Sequence, residues 1–145
     1  MRKKKRILIV DDHPALREGL RSLLTSNQDF DIVGEAGDGL EAIDFVNRFL
    51  PDLVLMDISM PRLDGLAATR EIKKKWPETK ILAFTVHNSE EYIQATLQAG
   101  ADGYLIKDSA RSELIHSIER ILNGKKVLGS AVIEKIKRLE SSPTH

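Results

Sequence analysis

The chain has 145 residues, in which 22 lysines and arginines balance 22 aspartates and glutamates, and this size suits one domain with a short appendage. The absence of cysteine excludes disulfides, thiol catalysis and cysteine metal sites. No apolar run approaches the roughly 18–20 residues of a membrane span or the roughly 7–15 of a signal-peptide core, so we expect a cytoplasmic protein without membrane contact.

One local concentration of charge stands out, the basic run Arg-Lys-Lys-Lys-Arg at residues 2–6. Such a run is found in nucleic-acid and membrane contacts, and equally in solvated tails. Because short basic runs are common and the net charge is zero, we interpret this one as a solvated tail that leads into the first strand.

Strand and helix patterns alternate five times along the chain. Short apolar, β-branched runs predict strands at 6–11, 31–36, 52–57, 80–85 and 103–106. Apolar residues at spacings of three and four predict helices from Pro14 to about residue 26, then at 40–50, 65–75, about 88–100 and about 109–124. This alternation predicts an α/β fold, a doubly wound parallel sheet with helices on both faces.

The helices carry local signals as well. Pro14 suits a first helical turn, Asn88 and Glu91 have the spacing of a capping box, and Gly100 is expected to close the fourth helix in a left-handed conformation. The apolar residues of the second helix are expected to face the core, namely Leu40, Ile43, Val46, Phe49 and Leu50.

Residues 125–145 lie outside the five units, so we predict a domain at 1–124 followed by a linker at 125–145. Within the linker, residues 125–128 read as a brief extended piece, Ser130 to about Glu140 as a sixth helix, and 141–145 as a polar tail. The sixth helix is open to three interpretations: a helix docked on its own domain, a dimer contact, or a connector to a further domain.

Polar residues stand where four of the apolar strands end, and a charge there is costly to bury without a partner. Asp11 and Asp12 follow the first strand, Asp57 ends the third, Thr85 ends the fourth and Lys107 follows the fifth. Open parallel sheets bind ligands at the carboxyl ends of their strands, where the strand order reverses. The flavodoxin-like order 2-1-3-4-5 would therefore bring the three carboxylates together.

Three clustered carboxylates repel one another, and a hard divalent cation such as Mg²⁺ relieves that repulsion. A lysine ammonium and a hydroxyl are suited to phosphoryl oxygens. A carboxylate beside a metal, a lysine and a hydroxyl has the chemistry to form an aspartyl phosphate, here on Asp57. His13 is interpreted as a surface residue, since no second histidine has metal-ligand spacing with it.

At these positions the sequence resembles the receiver domains of two-component response regulators, over about residues 5–124. The resemblance rests on Asp11-Asp12, on Asp57-Ile58-Ser59-Met60-Pro61-Arg62-Leu63-Asp64-Gly65, on Thr85 and on Tyr104-Leu105-Ile106-Lys107. The stretch 99–108 is similar to the NarL/FixJ subfamily, whose members carry a C-terminal LuxR-type helix-turn-helix. Asp108 stands where much of the wider family has proline.

The resemblance implies that Asp57 accepts a phosphoryl group from a sensor histidine kinase or a small acyl phosphate. Asp12, Asp57 and the backbone carbonyl of Ser59 would ligate Mg²⁺, and Asp11 would act through water. Lys107 would bind the phosphate.

The resemblance also implies a switch, a bistable element biased by the new charge. Thr85 would move toward the phosphate, and Tyr104 would turn inward as the switch aromatic. Ser59 and His87 occupy positions that flank attacking water in this family and would tune the phosphate lifetime.

The implied partners are a sensor histidine kinase that docks near the strand ends, and a second copy of the chain after phosphorylation. The dimer would form through the first and fifth helices or through the fourth and fifth. Transcription would be controlled through a DNA-binding domain that this sequence lacks. We expect a truncated chain here rather than a stand-alone receiver.

Two other functions compete with this one. Magnesium-dependent phosphohydrolases that form an aspartyl phosphate typically carry Asp-x-Asp at the nucleophile, whereas Ser59 stands two residues past Asp57. We therefore expect a phosphoacceptor that acts only on itself, not an enzyme for external substrates. A pseudo-receiver would lack an acidic residue or the lysine, and this sequence has them all.

Overall fold

A computed structural model of the chain describes residues 3–60 and 64–140, without the side chains of Leu139 and Glu140. The predictions that concern residues 61–63 and the tail at 141–145 lie outside the described residues.

Strands and helices alternate as the sequence predicts. The strands are β1 Lys5–Val10, β2 Phe30–Ala36, β3 Leu53–Met56, β4 Lys80–Thr85, β5 Gly103–Ile106 and β6 Val127–Leu128. The helices are α1 Pro14–Thr25, α2 Gly39–Phe49, α3 Gly65–Lys75, α4 Glu90–Gln98, α5 Arg111–Leu122 and α6 Ser130–Glu140.

The strands form one parallel sheet in the order β2-β1-β3-β4-β5-β6. The predicted order 2-1-3-4-5 is confirmed, and the order reverses between β1 and β3. Val10 of β1 pairs with Met56 of β3, so Asp11 and Asp57 follow neighbouring strand ends at that reversal.

The central strands are apolar throughout because both faces of the sheet are covered. Ile7 and Ile9 pack with α1 and α5 on one face, while Leu8 and Val10 pack with α2 and α3 on the other. Successive side chains of a strand point to opposite faces, so a continuous apolar run is what a doubly covered strand needs.

The C-terminal segment extends the sheet, which the five-strand prediction did not include. Val127 and Leu128 pair with β5, and the Gly129 N–H donates to the Tyr104 carbonyl at 2.9 Å. The helix α6 then packs against α4 and β5, with Val132 fully buried in the same cluster as Tyr104. The sixth helix is thus docked on the sheet, while a domain boundary at residue 124 stays a prediction.

The prediction for the inward face of α2 was only partly right, because Val46 is buried and Ile43 packs against the core, but the other three predicted residues lie outward. Gly39, Ala42 and Val46 face the sheet, and they recur at the helical spacing of three and four. The larger apolar residues are about half exposed: Leu40 at 53%, Phe49 at 49% and Leu50 at 55%.

Two of the three predicted helix-end signals are confirmed. Pro14 is the first residue of α1, and Gly100 follows the end of α4 with φ of 106°. The capping box at Asn88 was wrong by one residue. Ser89 is the N-cap, since it has the extended backbone of a cap and its side chain accepts from the Tyr92 N–H at 3.3 Å.

Asp102 lies at the amino-terminal ends of the strands, on the side of the sheet away from Asp11 and Asp57. There it forms hydrogen bonds with three separate parts of the chain. Its buried carboxylate accepts from the Ile81 N–H at 2.9 Å, from Lys73 Nζ at 3.1 Å and from Lys126 Nζ at 3.1 Å. Burial by itself raises the pKa of this carboxyl, but the Ile81 amide and the two ammonium groups outweigh it and hold the pKa below the ordinary 3.8.

We expect Asp102→Asn to lower the free energy of unfolding by about 1.5–3 kcal/mol at pH 7, because it removes charge-assisted hydrogen bonds. The folded-state pKa lies below the unfolded-state value, so this stabilisation is present above 3.8 and is lost as the pH falls through the folded-state pKa. Urea unfolding at pH 7 and over a descending pH series measures both effects.

The exposed Asp44→Asn is the matched control and should change stability by less than about 0.5 kcal/mol. A difference between the Asp102 variant and the unmodified protein that stayed constant from pH 7 to pH values below 3.8 would contradict the assignment.

Candidate active site

The backbone holds Asp11 and Asp57 at the ends of their strands. The Asp57 N–H donates to the Val10 carbonyl at 2.9 Å, and the Asp11 N–H donates to the Ala36 carbonyl at 3.0 Å. The sheet pairing therefore continues one residue past β1 and β3. Both side chains are buried, at 2% exposure for Asp11 and 5% for Asp57.

Lys107 connects these two carboxylates. Its Nζ lies 2.7 Å from Asp11 Oδ2 and 3.3 Å from Asp57 Oδ2, and its backbone N–H donates to the Thr85 carbonyl at 2.8 Å. The side chain is 13% exposed, so it reaches the carboxylates from a largely desolvated position. The predicted convergence of the ends of β1, β3 and β5 is thus observed.

Opposing effects act on Asp57. Burial raises the pKa of its carboxyl, the Lys107 ammonium lowers it, and the charge of Asp11 raises it again; the balance leaves the pKa above its ordinary value of 3.8. One lysine therefore does not fully compensate two buried carboxylates, and the site favours additional positive charge.

Asp12 supplies the clearest indication that these residues suit a cation. Its Oδ1 is buried and, within the described part of the chain, makes no hydrogen bond. One ligand atom each from Asp11, Asp12, His13 and Asp57 can be chosen so that all lie within 4.8 Å of one another. Three of the four are carboxylates, the ligand type that Mg²⁺ prefers, so the residues present fit this ion.

His13 is a surface residue, as the sequence predicted, but it also contacts the acidic pair, which the sequence did not predict. The ring is 68% exposed, yet its Nδ1 lies 3.0 Å from Asp11 Oδ1 and 3.1 Å from Asp12 Oδ1. The signal that points to it is the following Pro14, because a residue before proline is held in an extended conformation. Its φ of −100° and ψ of 106° are of that type and keep the ring beside the strand end.

Thr85 and Tyr104 meet at the turn that follows β4. The Thr85 hydroxyl is fully buried and accepts from the His87 N–H at 3.3 Å, while the Tyr104 hydroxyl donates to the His87 carbonyl at 2.7 Å. The His87 ring stacks on Tyr92 of α4, with centroids 4.1 Å apart and planes 16° apart. The inward Tyr104 and the buried Thr85 are therefore coupled through one residue.

The loop after Asp57 is shaped by Gly65. The Gly65 N–H donates to the Ile58 carbonyl at 2.6 Å, and a Cβ at Gly65 would lie 1.8 Å from the Asp57 carbonyl oxygen. Only glycine fits there. Ser59 is exposed, and its N–H lies 3.4 Å from Asp57 Oδ1. Metal binding by the Ser59 carbonyl stays a prediction.

The family model of the response regulator receiver domain matches residues 7–119. The chain belongs to the response regulator receiver family. It is 37% identical over 126 residues to the nitrate/nitrite response regulator protein NarL of Escherichia coli strain K12, covering 87% of this chain and 58% of NarL. It is 36% identical over 121 residues to the transcriptional regulatory protein DegU of Brevibacillus brevis, covering 83% of this chain and 51% of DegU.

A crystal structure of a LuxR-family two-component response regulator from Aurantimonas sp. SI85-9A1 has the same fold. Its TM-score is 0.92 at 35% identity, over 97% of this chain and 100% of that one. These matches confirm the predicted receiver fold and the relation to NarL/LuxR-type regulators. The chain spans little more than half of NarL and DegU. Within residues 3–60 and 64–140, no helix has the length and apolar character needed to cross a membrane.

We expect Gly65→Ala to lower the free energy of unfolding by about 1–3 kcal/mol, the cost of forcing atoms into a packed site. The added Cβ would lie within 2.7 Å of Asp57 and Ile58 backbone atoms, which cannot rotate away as a side chain does. Urea unfolding measures the loss.

The same substitution at Gly19 is the matched control, since no heavy atom lies within 4 Å of a Cβ added there in α1. Gly19→Ala should stabilise the protein by about 0.4–1 kcal/mol. Equal stabilities for the two variants would show that the close approach of Gly65 to Asp57 does not constrain the loop.

Proposed function

We propose that Asp57 is the phosphoacceptor of this receiver and that its phosphorylation switches the output of a longer response regulator. The observation that carries the proposal is the Lys107 ammonium within 3.3 Å of the buried Asp57 carboxylate, at the point where the strand order reverses. A carboxylate held beside the ammonium group of a buried lysine is a positioned nucleophile for phosphoryl transfer.

In the proposed step, an Asp57 carboxylate oxygen attacks the phosphorus of a phosphohistidine or a small acyl phosphate. The bond from phosphorus to the donor's nitrogen or oxygen breaks, and the donor leaves with that electron pair. The product on Asp57 is an acyl phosphate. Lys107 is placed to bind a phosphoryl oxygen, because its ammonium already spans the space between Asp11 and Asp57.

Asp11, Asp12 and Asp57 would hold Mg²⁺, with the Ser59 carbonyl as a further proposed ligand and Asp11 acting through water. When bound, the ion supplies charge neutralisation for phosphoryl oxygens. Asp12 Oδ1 supports this assignment, since it is buried and makes no hydrogen bond within the described residues, so that a cation beside it would stabilise its charge.

The switch is proposed to run through the turn after β4. The Thr85 hydroxyl leaves the His87 N–H and donates to the phosphoryl group, which frees the turn to move. Tyr104 follows because its hydroxyl is bound to the His87 carbonyl. Ser59 and His87 are proposed to tune the phosphate lifetime from their positions two residues past Asp57 and Thr85.

The proposed partners are a sensor histidine kinase, as phosphodonor, and a second copy of the chain after phosphorylation. We also propose that the chain is part of a longer cytoplasmic transcription regulator that binds DNA through another domain. Support comes from DegU, which is named a transcriptional regulatory protein and of which this chain matches only 51%.

Incubation with acetyl phosphate followed by intact-mass measurement tests the chemistry. With Mg²⁺ we expect an adduct of about 80 Da, one phosphoryl group replacing a proton, and none without the ion. Asp57→Asn should abolish the adduct because it removes the nucleophile, whereas Asp44→Asn, an exposed carboxylate on α2, should leave it unchanged. An undiminished adduct on the Asp57 variant would place the acceptor elsewhere, and no adduct on the unmodified protein would remove the phosphoacceptor.

We expect Tyr104→Phe to leave the adduct intact but to weaken the response of the turn after β4. The substitution removes the hydroxyl that donates to the His87 carbonyl while keeping the buried ring. Hydrogen exchange of the turn, with and without acetyl phosphate, measures the response.

Tyr92→Phe is the control for the Tyr104 variant, because Tyr92 contacts His87 through its ring and a phenyl ring preserves the stacking. A turn that responded equally in the Tyr104 variant and in the unmodified protein would show that this hydroxyl carries no coupling.

A further inference from the structure

His13 stands at ligand spacing from the acidic pair. Its Nδ1 is 3.0 Å from Asp11 Oδ1 and 3.1 Å from Asp12 Oδ1. Adjacent ligand atoms of an octahedral ion with bonds of about 2.1 Å lie about 3.0 Å apart. The Asp11 contact is a hydrogen bond, whereas the Asp12 contact is an ion-pair contact at the spacing that two ligands of one ion require.

The local structure holds the imidazole at the acidic pair, where its Nδ1 forms a hydrogen bond with Asp11 Oδ1 at 3.0 Å. His13 is the N-cap of α1, but its side chain makes no capping hydrogen bond. The backbone also fixes its position, because its N–H donates to Asp11 Oδ1 at 2.9 Å and Pro14 holds it in an extended conformation. The ring is thus held beside the acidic pair, and its 68% exposure leaves it open to an ion arriving from solvent.

We propose that His13 contributes an imidazole nitrogen to the cation site, which makes the site a better binder of first-row transition ions such as Mn²⁺ than carboxylates alone would be. The inference rests on the proposed function, since it uses the same cation site. Imidazole is a good ligand for transition metals, whereas Mg²⁺ favours oxygen ligands and keeps several waters. Loss of the imidazole should therefore weaken Mn²⁺ binding more than Mg²⁺ binding.

Mn²⁺ is the probe for the test, because electron paramagnetic resonance reports both its affinity and its ligands. A titration of the full chain gives the affinity, and electron spin echo modulation detects a directly bound ¹⁴N. Competition with Mg²⁺ gives the affinity for the second ion. The variants are His13→Gln and, as matched control, His116→Gln, which changes an exposed histidine on α5.

We expect ¹⁴N modulation in the unmodified protein and in the His116 variant, and none in His13→Gln. The Mn²⁺ affinity of His13→Gln should fall at least about tenfold, the scale seen when a group that supports a metal site is removed. Its Mg²⁺ affinity should fall much less. Circular dichroism confirms that the variant is folded, which its exposed position favours.

Absence of ¹⁴N modulation in the unmodified protein, its persistence in His13→Gln, or equal weakening for both ions would overturn the inference. Asp12→Asn separates this failure from failure of the site itself. If Asp12→Asn loses Mn²⁺ while His13→Gln behaves as the unmodified protein, His13 is only a neighbour of the ion. If Asp12→Asn binds Mn²⁺ normally, the proposed cation site is wrong, and His13 has no role in it.

Discussion

The ammonium of Lys107, between the carboxylates of Asp11 and Asp57, is the contact on which the site depends. Lys107 is 96 positions from Asp11 and 50 positions from Asp57 in the sequence. The contact therefore exists only when the carboxyl ends of β1, β3 and β5 lie along the same edge of a parallel sheet. Without it, two buried carboxylates would face each other, and at least one would be driven to take up a proton. The strand order therefore also determines whether the charges of the two carboxylates are compensated.

Lys107 only partly compensates the negative charge of the buried carboxylates, and this partial compensation suits a switch. Asp57 keeps a raised pKa despite Lys107, and the buried Asp12 oxygen makes no hydrogen bond within the described residues. Both observations favour further positive charge at the strand ends. A site with this deficit is sensitive to the arrival of a cation or a phosphoryl group, because each changes the net charge that Lys107 must compensate.

Beside the carboxylates, two hydrogen bonds connect the end of β4 and strand β5 to the turn after β4. Thr85 and Tyr104 both bind the backbone of His87, one at its N–H and the other at its carbonyl. Tyr104 also packs in the cluster that contains Val132 of α6. The turn after β4 and the C-terminal helix are therefore linked through the cluster that contains Tyr104.

The sequence alone determined the alternation of strands and helices and the polar residues at the strand ends, because apolar periodicity and an ionisable group at the end of a buried run are local features. Given the strand order, these features brought the ends of β1, β3 and β5 together, and Asp11, Asp57 and Lys107 do meet there. The tertiary structure decided which face of α2 is buried, how residues 127–138 dock, and that His13 lies against the acidic pair. These three features depend on which residues pack against each position. The packing partners come from distant parts of the chain, so a local sequence pattern does not reveal them.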